Sequence, residues 1–466
     1  MAHGREVTHG DRLRKGSTKL LGSPRQNPPQ RRRPKKKMAP FARGLSWGVG
    51  FMGTILLSAA AGTAIAVYTP IAQLVLPFLP APLGSLATDG LRQLGTYTLG
   101  RPVNILVLGI DRVPGAENTE AAFNGRSDTI LLVRFEPDQK QVNMLSIPRD
   151  SQVRIPNVGI TKINEANAYG GSQLAAQVVN ESLEGVAVDR YLRVTTDTFK
   201  ELVDAVGGVN VFVPADMKYV DQTQGLEINL EKGWQVLDGD QAEQFARFRQ
   251  DQYGDIGRVQ RQQILLKALR EKVQSPAIIP RLPALIGLIK DHIDTNLSWE
   301  EMLSLVNFLR QLEADNFQMV MLPGRFSDVG EYNRSYWIIS ETGKSQVMTE
   351  FFGVDSGLSG DRDGTTQNAR IAVQNASGSS GIAREVSEYL QAQGFRNIYL
   401  ASDYPEILAE TAIIAQQGNI SGANQLLDVL SVGQVEASST GEIESAFTIR
   451  VGQDWLERER ESFVGN

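Results

Sequence analysis

Three apolar segments in the first half of the chain have the pattern of strands that are buried on both faces. Residues 103–109 are a run of Val, Ile and Leu that is broken by one Asn and ends in Gly, and residues 129–135 and 141–147 have a similar character. A strand with one face in water alternates apolar and polar residues, whereas a strand covered on both faces does not. These segments therefore predict the centre of a β-sheet with helices on both sides.

Stretches with apolar residues at helical spacing lie between and after those strands. We expect Asp255 to be the N-cap of the longest of these helices, and a late strand at residues 317–322 to close the domain. The alternation predicts an α/β domain at residues 102–354 whose central mixed β-sheet is sandwiched by helices. The expected helices cover residues 172–183, 197–206, 256–273, 276–290 and 299–312.

A second, smaller α/β domain is expected after a linker. Residues 355–368 are rich in Gly, Ser, Asp and Thr, which is typical of a linker. Strand patterns follow at residues 369–374 and 397–400, with a helical pattern at 382–394 between them. We expect this domain to span residues 369–456 and to be dispensable for chemistry.

The beginning of the chain has the pattern of a membrane anchor. Residues 45–68 carry no charge and are long enough to cross a bilayer as a helix, so we assign residues 44–69 to a transmembrane helix. Residues 70–101 contain four prolines between residues 70 and 82 and predict a juxtamembrane stalk.

A basic tail at residues 1–43 precedes this anchor. It holds thirteen Lys or Arg against two acidic residues, a net charge of +11 that leaves about −17 for the rest of a chain whose formal charge is −6. The composition of this tail predicts disorder. Its positive charge is compatible with binding to nucleic acid or with a position on the cytoplasmic side of a membrane. Because an apolar segment follows directly, the basic residues are better explained by the positive-inside rule, which puts them on the cytoplasmic side of the membrane. We expect a cytoplasmic tail, extracytoplasmic domains and no nucleic acid partner.

Composition narrows the chemistry further. The chain has 466 residues, no Cys, and three His, at positions 3, 9 and 292. The chain therefore has almost no residues that could act as a His base, a Cys nucleophile or the His and Cys ligands of a zinc site. Carboxylates, Arg and Lys must carry the chemistry.

Four clusters of charged residues lie at predicted strand ends and helix starts, where α/β sheets place ligand sites. Asp111 follows the first strand, Asp128 begins the second and Arg149 follows the third. Two carboxylates and phosphate oxygens can hold a divalent cation such as Mg²⁺. Arg side chains offer planar, always charged forks to phosphate. The combination predicts a pyrophosphate site, although each residue alone is more typical of a cap or a solvated surface.

Spacing sets geometric conditions on the fourth cluster. Arg258, Arg261 and Gln262 can share one helix face because they are three and four positions apart. Arg247 and Arg249 are two positions apart, so that stretch must leave the helix if both face a ligand.

Six motifs in order resemble the LytR-CpsA-Psr domain: NILVLGID, GRSDT, SIPRD, KINEANAYGG, GGVNVFVP and LDGDQAEQFARFR…GDIGRVQRQQ. The similarity extends from about residue 102 to 275 and more weakly to 350. The C-terminal strings VQNASGSSGIAREVSEYLQAQGF and FTIRVGQDW are similar to a small domain often appended to that family.

The resemblance implies a phosphotransferase that moves a glycan phosphate from a polyprenyl pyrophosphate carrier to peptidoglycan. It implies Asp111 and Asp128 as ligands of Mg²⁺ or Mn²⁺, and a membrane-anchored enzyme. Catalytic and pyrophosphate-binding roles are implied for Arg126, Arg149, Lys162, Asn164, Arg247, Arg249, Arg258, Arg261 and Gln262.

Several alternatives stay open at this point. In this chain Arg112 directly follows Asp111, whereas the family more often has one residue between the Asp and the Arg. An insertion at residues 114–124 lies beside the site. The general base is Asp111, Asp255 or solvent. Apolar stripes at residues 264–269, 278–289 and 303–309 predict either core or a prenyl groove. A hydrolase at the same site and a membrane-bound transcriptional regulator are the competing functions.

Overall fold

A computed structural model describes residues 98–458, apart from 112–119, 222–225, 250–253, 314–315, 355–365, residue 444 and most of 276–291. The described residues all fall within one compact unit. The predicted tail, anchor and stalk therefore lie outside the described residues, except for 98–101. Within the described part, no helix combines the length and the apolar character that a membrane span requires.

Six strands of the described residues form the central sheet, in the order β11-β6-β1-β2-β3-β12. Neighbouring strands β1, β2 and β3 are antiparallel, whereas β6 is parallel to β1 and β12 is parallel to β3. The mixed sheet that the sequence predicted is confirmed. The strands are β1 (Val103–Ile110), β2 (Ser127–Glu136), β3 (Gln141–Ser146), β6 (Arg190–Thr195), β11 (Ile293–Thr295) and β12 (Phe317–Met321).

Helices cover both faces of this sheet, which explains the continuous apolar runs. On one face, Leu106 and Leu108 pack with α1 (Glu165–Ser182) and α6 (Glu341–Phe352). The other face packs against α5 (Trp299–Gln311). Successive side chains of a strand point to opposite faces, so each apolar run supplies both cores.

Two helix starts differ from the sequence prediction. The long helix α4 (Gly254–Gln274) begins before Asp255, which lies inside its first turn and not at the N-cap. An acidic residue in the first turn still stabilises a helix through its dipole. Helix α1 begins at Glu165, but Gly170 and Gly171 are not helical, so the helix predicted from residue 172 is the part after this kink.

A second core lies beside the sheet and is built by helices and hairpins. Leu265 and Ala268 of α4 are buried there with residues of α2 (Thr196–Val206) and α3 (Gly239–Arg247). The apolar stripe at residues 264–269 is therefore core in this structure. The strands of this region are β7 (Val209–Val213), β8 (Met217–Asp221), β9 (Leu226–Leu230) and β10 (Gly233–Leu237).

Two more hairpins flank the central sheet. β4 (Gln152–Ile155) pairs with β5 (Gly159–Lys162), and β13 (Gly324–Phe326) pairs with β14 (Trp337–Ile339). The backbone N–H of Trp337 donates to the carbonyl of Asp150 at 2.9 Å, which ties the second hairpin to the loop after β3.

The C-terminal part of the described residues, called the C-terminal domain below, has its own sheet in the order β16-β15-β19-β17-β18. Helices α7 (Ile382–Ala392) and α8 (Ile420–Leu430) pack on it around a separate core. The strands are β15 (Ile371–Asn375), β16 (Ile398–Leu400), β17 (Ala412–Ala415), β18 (Gln434–Glu436) and β19 (Phe447–Val451).

Candidate active site

The ends of β1 and β2 bring Asp111 and Asp128 to one edge of the central sheet. The two strands are antiparallel neighbours, with Ile110 opposite Ser127. The backbone N–H of Asp111 also donates to the carbonyl of Arg126 at 3.1 Å, which continues the pairing past the strand end. Both carboxylates line the same cavity, which has a volume of about 230 Å³.

The lining of this cavity is almost entirely charged. Five cationic side chains, four carboxylates and one amide of the described residues surround it. Such a wall suits a polyanion that meets several guanidinium groups while carboxylates hold those groups in place. The lining residues are Asp111, Arg126, Asp128, Arg149, Asp150, Lys162, Asn164, Glu165, Arg247 and Arg249.

Asp128 lies among guanidinium groups that come from three different elements. Arg149 Nη1 donates to Asp128 Oδ1 at 2.7 Å, while Arg258 and Arg249 approach Oδ2 at 3.6 and 3.8 Å. Burial opposes ionisation of this carboxyl, but the charges of Arg149 and Arg258 outweigh burial and hold the pKa of Asp128 below its ordinary value of 3.8. Asp128 is therefore ionised at neutral pH.

Asp111 is more open than Asp128. Its side chain is 36% exposed and its Oδ1 is 3.9 Å from Arg247 Nη2. Arg247 itself donates to Glu243 Oε1 at 2.9 Å, one turn earlier on α3. The arrangement leaves Asp111 facing the cavity at a strand end, where a ligand can approach it.

Helix α3 ends between Arg247 and Arg249, which the sequence analysis expected if both arginines face a ligand. The last helical residue is Arg247, and Phe248 has an extended backbone with φ −60° and ψ 135°. Both Arg247 and Arg249 consequently line the cavity. The helix begins at a capping box in which the Asp238 carboxylate accepts from the backbone of Gln241, and this cap fixes the register of the helix.

The arginines of α4 divide between two tasks. Arg258 is 1% exposed and contacts Asp128 from behind the cavity wall. Arg261 is also buried, but its guanidinium donates to the carbonyl of Phe248 and lies 5.5 Å from that ring. Neither Arg261 nor the half-buried Gln262 is among the residues that line the cavity. Arg261 thus holds Phe248, the extended residue between Arg247 and Arg249.

The hairpin β4–β5 places Lys162 and Asn164 over the end of β3. Lys162 Nζ is 3.0 Å from Asp150 Oδ1, and the backbone N–H of Asn164 donates to the carbonyl of Arg149 at 3.1 Å. The side-chain oxygen of Asn164 is buried, and no residue of the described part donates a hydrogen bond to it. An oxygen in this situation is a ready acceptor or a hard ligand.

Two carboxylates of the cavity were not among the residues selected from the sequence. Asp150 ends the SIPRD motif, and Glu165 follows the KIN motif and accepts from Thr161 Oγ1 at 2.7 Å. Arg334 Nη1 also donates to Glu165 Oε1 at 3.2 Å from the loop before β14. Their position directly beside selected motif residues was the signal that could have found them.

Two other selected positions lie at the limit of the structure. Arg112 and most of the insertion at residues 114–124 lie outside the described residues, and Asp255 is described by its backbone alone. Among described residues, no group of three or more His, Cys, Asp or Glu side chains is arranged to hold a metal ion.

Two family models match the chain. The LytR_cpsA_psr family model matches residues 91–352, more than half of the chain. A second model, described as LytR cell envelope-related transcriptional attenuator, matches residues 368–455.

The similar proteins include several that are named as teichoic acid transferases. Polyisoprenyl-teichoic acid–peptidoglycan teichoic acid transferase TagV of Bacillus subtilis is 30% identical over 252 residues, which cover 53% of this chain and 63% of that protein. TagU of Oceanobacillus iheyensis, with the same descriptive name, is 31% identical over 54% of this chain and 75% of its own. The crystal structure of B. subtilis TagV is 28% identical, with a TM-score of 0.47, over 55% of this chain and 98% of that one.

Proposed function

The chain belongs to the LytR-CpsA-Psr family, and we propose that it transfers a glycan with one phosphate from a polyprenyl pyrophosphate carrier to a sugar hydroxyl of peptidoglycan. The observation that carries this proposal is the charged cavity at the sheet edge. The five cationic side chains of this wall suit the negative charge of a pyrophosphate. The names of TagV and TagU, which give polyisoprenyl-linked teichoic acid and peptidoglycan as substrates, support the same substrate classes.

The cationic side chains of the cavity would hold the pyrophosphate. Arg149 is already oriented by its bond to Asp128, and Arg247 by its bond to Glu243, so both lose little freedom when a phosphate arrives. Arg126, Arg249 and Lys162 complete the positive wall. Preorganised charges of this kind stabilise charge that develops on phosphate oxygens.

Asp111 and Asp128 fit a Mg²⁺ or Mn²⁺ ion that is shared with the substrate. Both are carboxylates of one cavity, Asp128 is ionised, and the side-chain oxygen of Asn164 is a further hard donor nearby. Mg²⁺ is usually held by one or two carboxylates together with phosphate oxygens. When bound, such an ion withdraws negative charge from the phosphate oxygens.

The reaction that we propose is a single in-line displacement. The acceptor oxygen forms a bond to the phosphorus that carries the glycan, and the bond from that phosphorus to the bridging oxygen breaks, which releases polyprenyl phosphate. The hydroxyl proton passes to a carboxylate or to solvent. Asp111 and Asp255 are the carboxylates that we propose for it, and the exposure of Asp111 supports the first.

We place the cavity outside the membrane, with the predicted segment 44–69 as the anchor. The prenyl chain needs an apolar surface near the cavity, and α4 leads from Arg258 at the cavity wall to Leu265 and Ala268 in the second core. We propose that the prenyl chain binds between α4 and the helices α2 and α3, and that it separates these helices.

The test uses the purified full chain in detergent with polyprenyl-pyrophosphate-linked glycan, Mg²⁺ and peptidoglycan oligomers. We expect a covalent glycan–phosphate–peptidoglycan product by mass spectrometry, and its loss when a chelator is added. Free glycan phosphate with no linked product would instead establish the hydrolase. Absence of both products would contradict the proposed reaction.

A further inference from the structure

The edge strand of the central sheet is completed by the C-terminal domain. The backbone N–H of Met319 in β12 donates to the carbonyl of Ala437 at 3.0 Å, and the N–H of Ser439 donates to the carbonyl of Met319 at 3.1 Å. Ser439 Oγ also accepts from the N–H of Met321 at 2.8 Å. Residues 437–441, the docking segment, thus satisfy backbone groups that an edge strand otherwise exposes.

Packing joins the docking segment to the core of the catalytic domain. Ala437 is 5% exposed and belongs to the same buried cluster as Val347 and Phe351 of α6. Ile420, at the start of α8, packs against that cluster as well. The C-terminal domain is consequently part of the packing that supports the central sheet.

Helix α4 is held by the same segment. Gln260 Nε2 donates to the carbonyl of Ser439 at 2.9 Å and to that of Gly441 at 2.5 Å. The segment is itself fixed, because Ser439 Oγ donates to the carbonyl of Gln416 at 2.7 Å and the N–H of Gly441 donates to Gln416 Oε1 at 2.9 Å. The docking segment, which is fixed by its bonds to Gln416, therefore holds α4 through the side chain of Gln260.

Gln260 is two positions from the arginine that contacts Asp128. Arg258 occupies the second turn of α4. First turns of helices fray unless something holds them, since their backbone N–H groups have no partner within the helix. The hydrogen bonds from Gln260 to the docking segment stabilise α4 within one turn of Arg258.

We propose that the C-terminal domain positions the catalytic site, with Gln260 as the positioning residue that keeps Arg258 against Asp128. This inference rests on the proposed function for its kinetic consequence, and it replaces the expectation that the domain is dispensable for chemistry. Gln260 lies outside the cavity lining and has no contact with substrate in this role.

The test compares Gln260→Glu with Lys267→Ala in the full chain. The Glu side chain keeps the size of Gln260 but turns a carboxylate toward the two carbonyl oxygens, which breaks both hydrogen bonds. Lys267 is on the same helix and contacts Glu436 of the same domain through a surface ion pair at 3.2 Å, which contributes little. It is therefore a matched control.

We measure the affinity for inorganic pyrophosphate with Mg²⁺ by calorimetry, kcat and KM for transfer, hydrogen exchange of residues 254–264 and a thermal melt. Gln260→Glu should lower pyrophosphate affinity and kcat about tenfold, the scale of one lost hydrogen bond. It should leave the KM for peptidoglycan unchanged and speed exchange in the first turns of α4. Lys267→Ala should stay within about twofold of the wild type.

The outcomes separate this inference from the proposed function. Wild-type kcat, affinity and exchange in Gln260→Glu would overturn the positioning role, as would a lower melting temperature with unchanged activity per folded molecule. A wild-type chain that fails to transfer glycan would refute the proposed reaction, while hydrogen exchange, which needs no substrate, would still decide whether the C-terminal domain fixes α4.

Discussion

The two aspartates of the cavity sit on neighbouring strand ends but in different surroundings. Asp128 is 24% exposed and accepts a 2.7 Å bond from Arg149, with Arg249 and Arg258 close behind. Asp111 is 36% exposed, and its ion pair with Arg247 is 3.9 Å long. One carboxylate is enclosed by charge and the other opens to the cavity.

This difference suggests a division of labour within one site. An ionised carboxylate surrounded by guanidinium groups orders those groups before a ligand arrives, which reduces the cost of arranging them. A more open carboxylate can exchange water for a metal ion or accept a proton. Asp128 is then mainly an organiser of cations, and Asp111 mainly a group that meets ligand.

The largest expected effect follows from neutralising the enclosed carboxylate. Asp128→Asn keeps the shape but leaves Arg149, Arg249 and Arg258 without the charge that holds them together. Transfer should fall by roughly 100-fold or more, as when preorganised charge is removed from an active site. Mg²⁺-dependent binding of a pyrophosphate lipid analogue, measured by calorimetry, should be lost, while circular dichroism stays that of the wild type.

A matched control is Asp138→Asn. Asp138 is an exposed carboxylate in the turn after β2, at the end of that strand opposite Asp128. It should change neither transfer nor binding. If transfer by Asp128→Asn depended on Mg²⁺ in the same way as transfer by the wild type, the role assigned to Asp128 would be wrong.

Asp111→Asn should have a smaller effect that metal can rescue. The Asn oxygen remains a ligand but binds a divalent ion more weakly than a carboxylate, so transfer at low Mg²⁺ should fall about tenfold, a loss near 1.4 kcal/mol. Titration with Mg²⁺ should restore much of the rate in Asp111→Asn and little in Asp128→Asn. Equal rescue of both variants would show that the two carboxylates do not differ in role.

The contrast between these residues also shows what the sequence reveals. The apolar runs of β1 and β2 predicted that the strands are central, and their antiparallel pairing put both aspartates on one edge. The spacing of Arg247 and Arg249 predicted that the chain leaves the helix there if both face a ligand, because side chains two apart on a helix diverge, and α3 ends at Arg247. The apolar runs and the helix spacing depend on local periodicity, whereas the pairing of β1 with β2 comes from the structure.

Features that depend on distant contacts were not predictable. Strand β6, RYLRVT, is half-buried throughout and has no apolar run, although it pairs with β1 in the centre of the sheet. The docking segment meets β12 across 118 positions of sequence, between Met321 and Ser439. Arg261 turns to the carbonyl of Phe248 for a reason that only the packed structure supplies, since helical spacing alone placed it with Arg258.

The smallest expected effect concerns stability and pH, and it tests the enclosure of Asp128 without any substrate. Because the surrounding arginines hold the folded-state pKa of Asp128 below 3.8, ionised Asp128 stabilises the folded chain at every pH above that ordinary value. The contribution is lost as pH falls through the folded-state pKa. Urea unfolding should show wild type more stable than Asp128→Asn by about 1 kcal/mol at pH 6–7, as for a hydrogen-bonded pair near the surface. That difference should be constant down to about pH 5 and shrink below pH 4, since protonated Asp and Asn then carry the same charge. A difference that grows toward acid pH would mean that burial, which favours the neutral acid, outweighs the arginines.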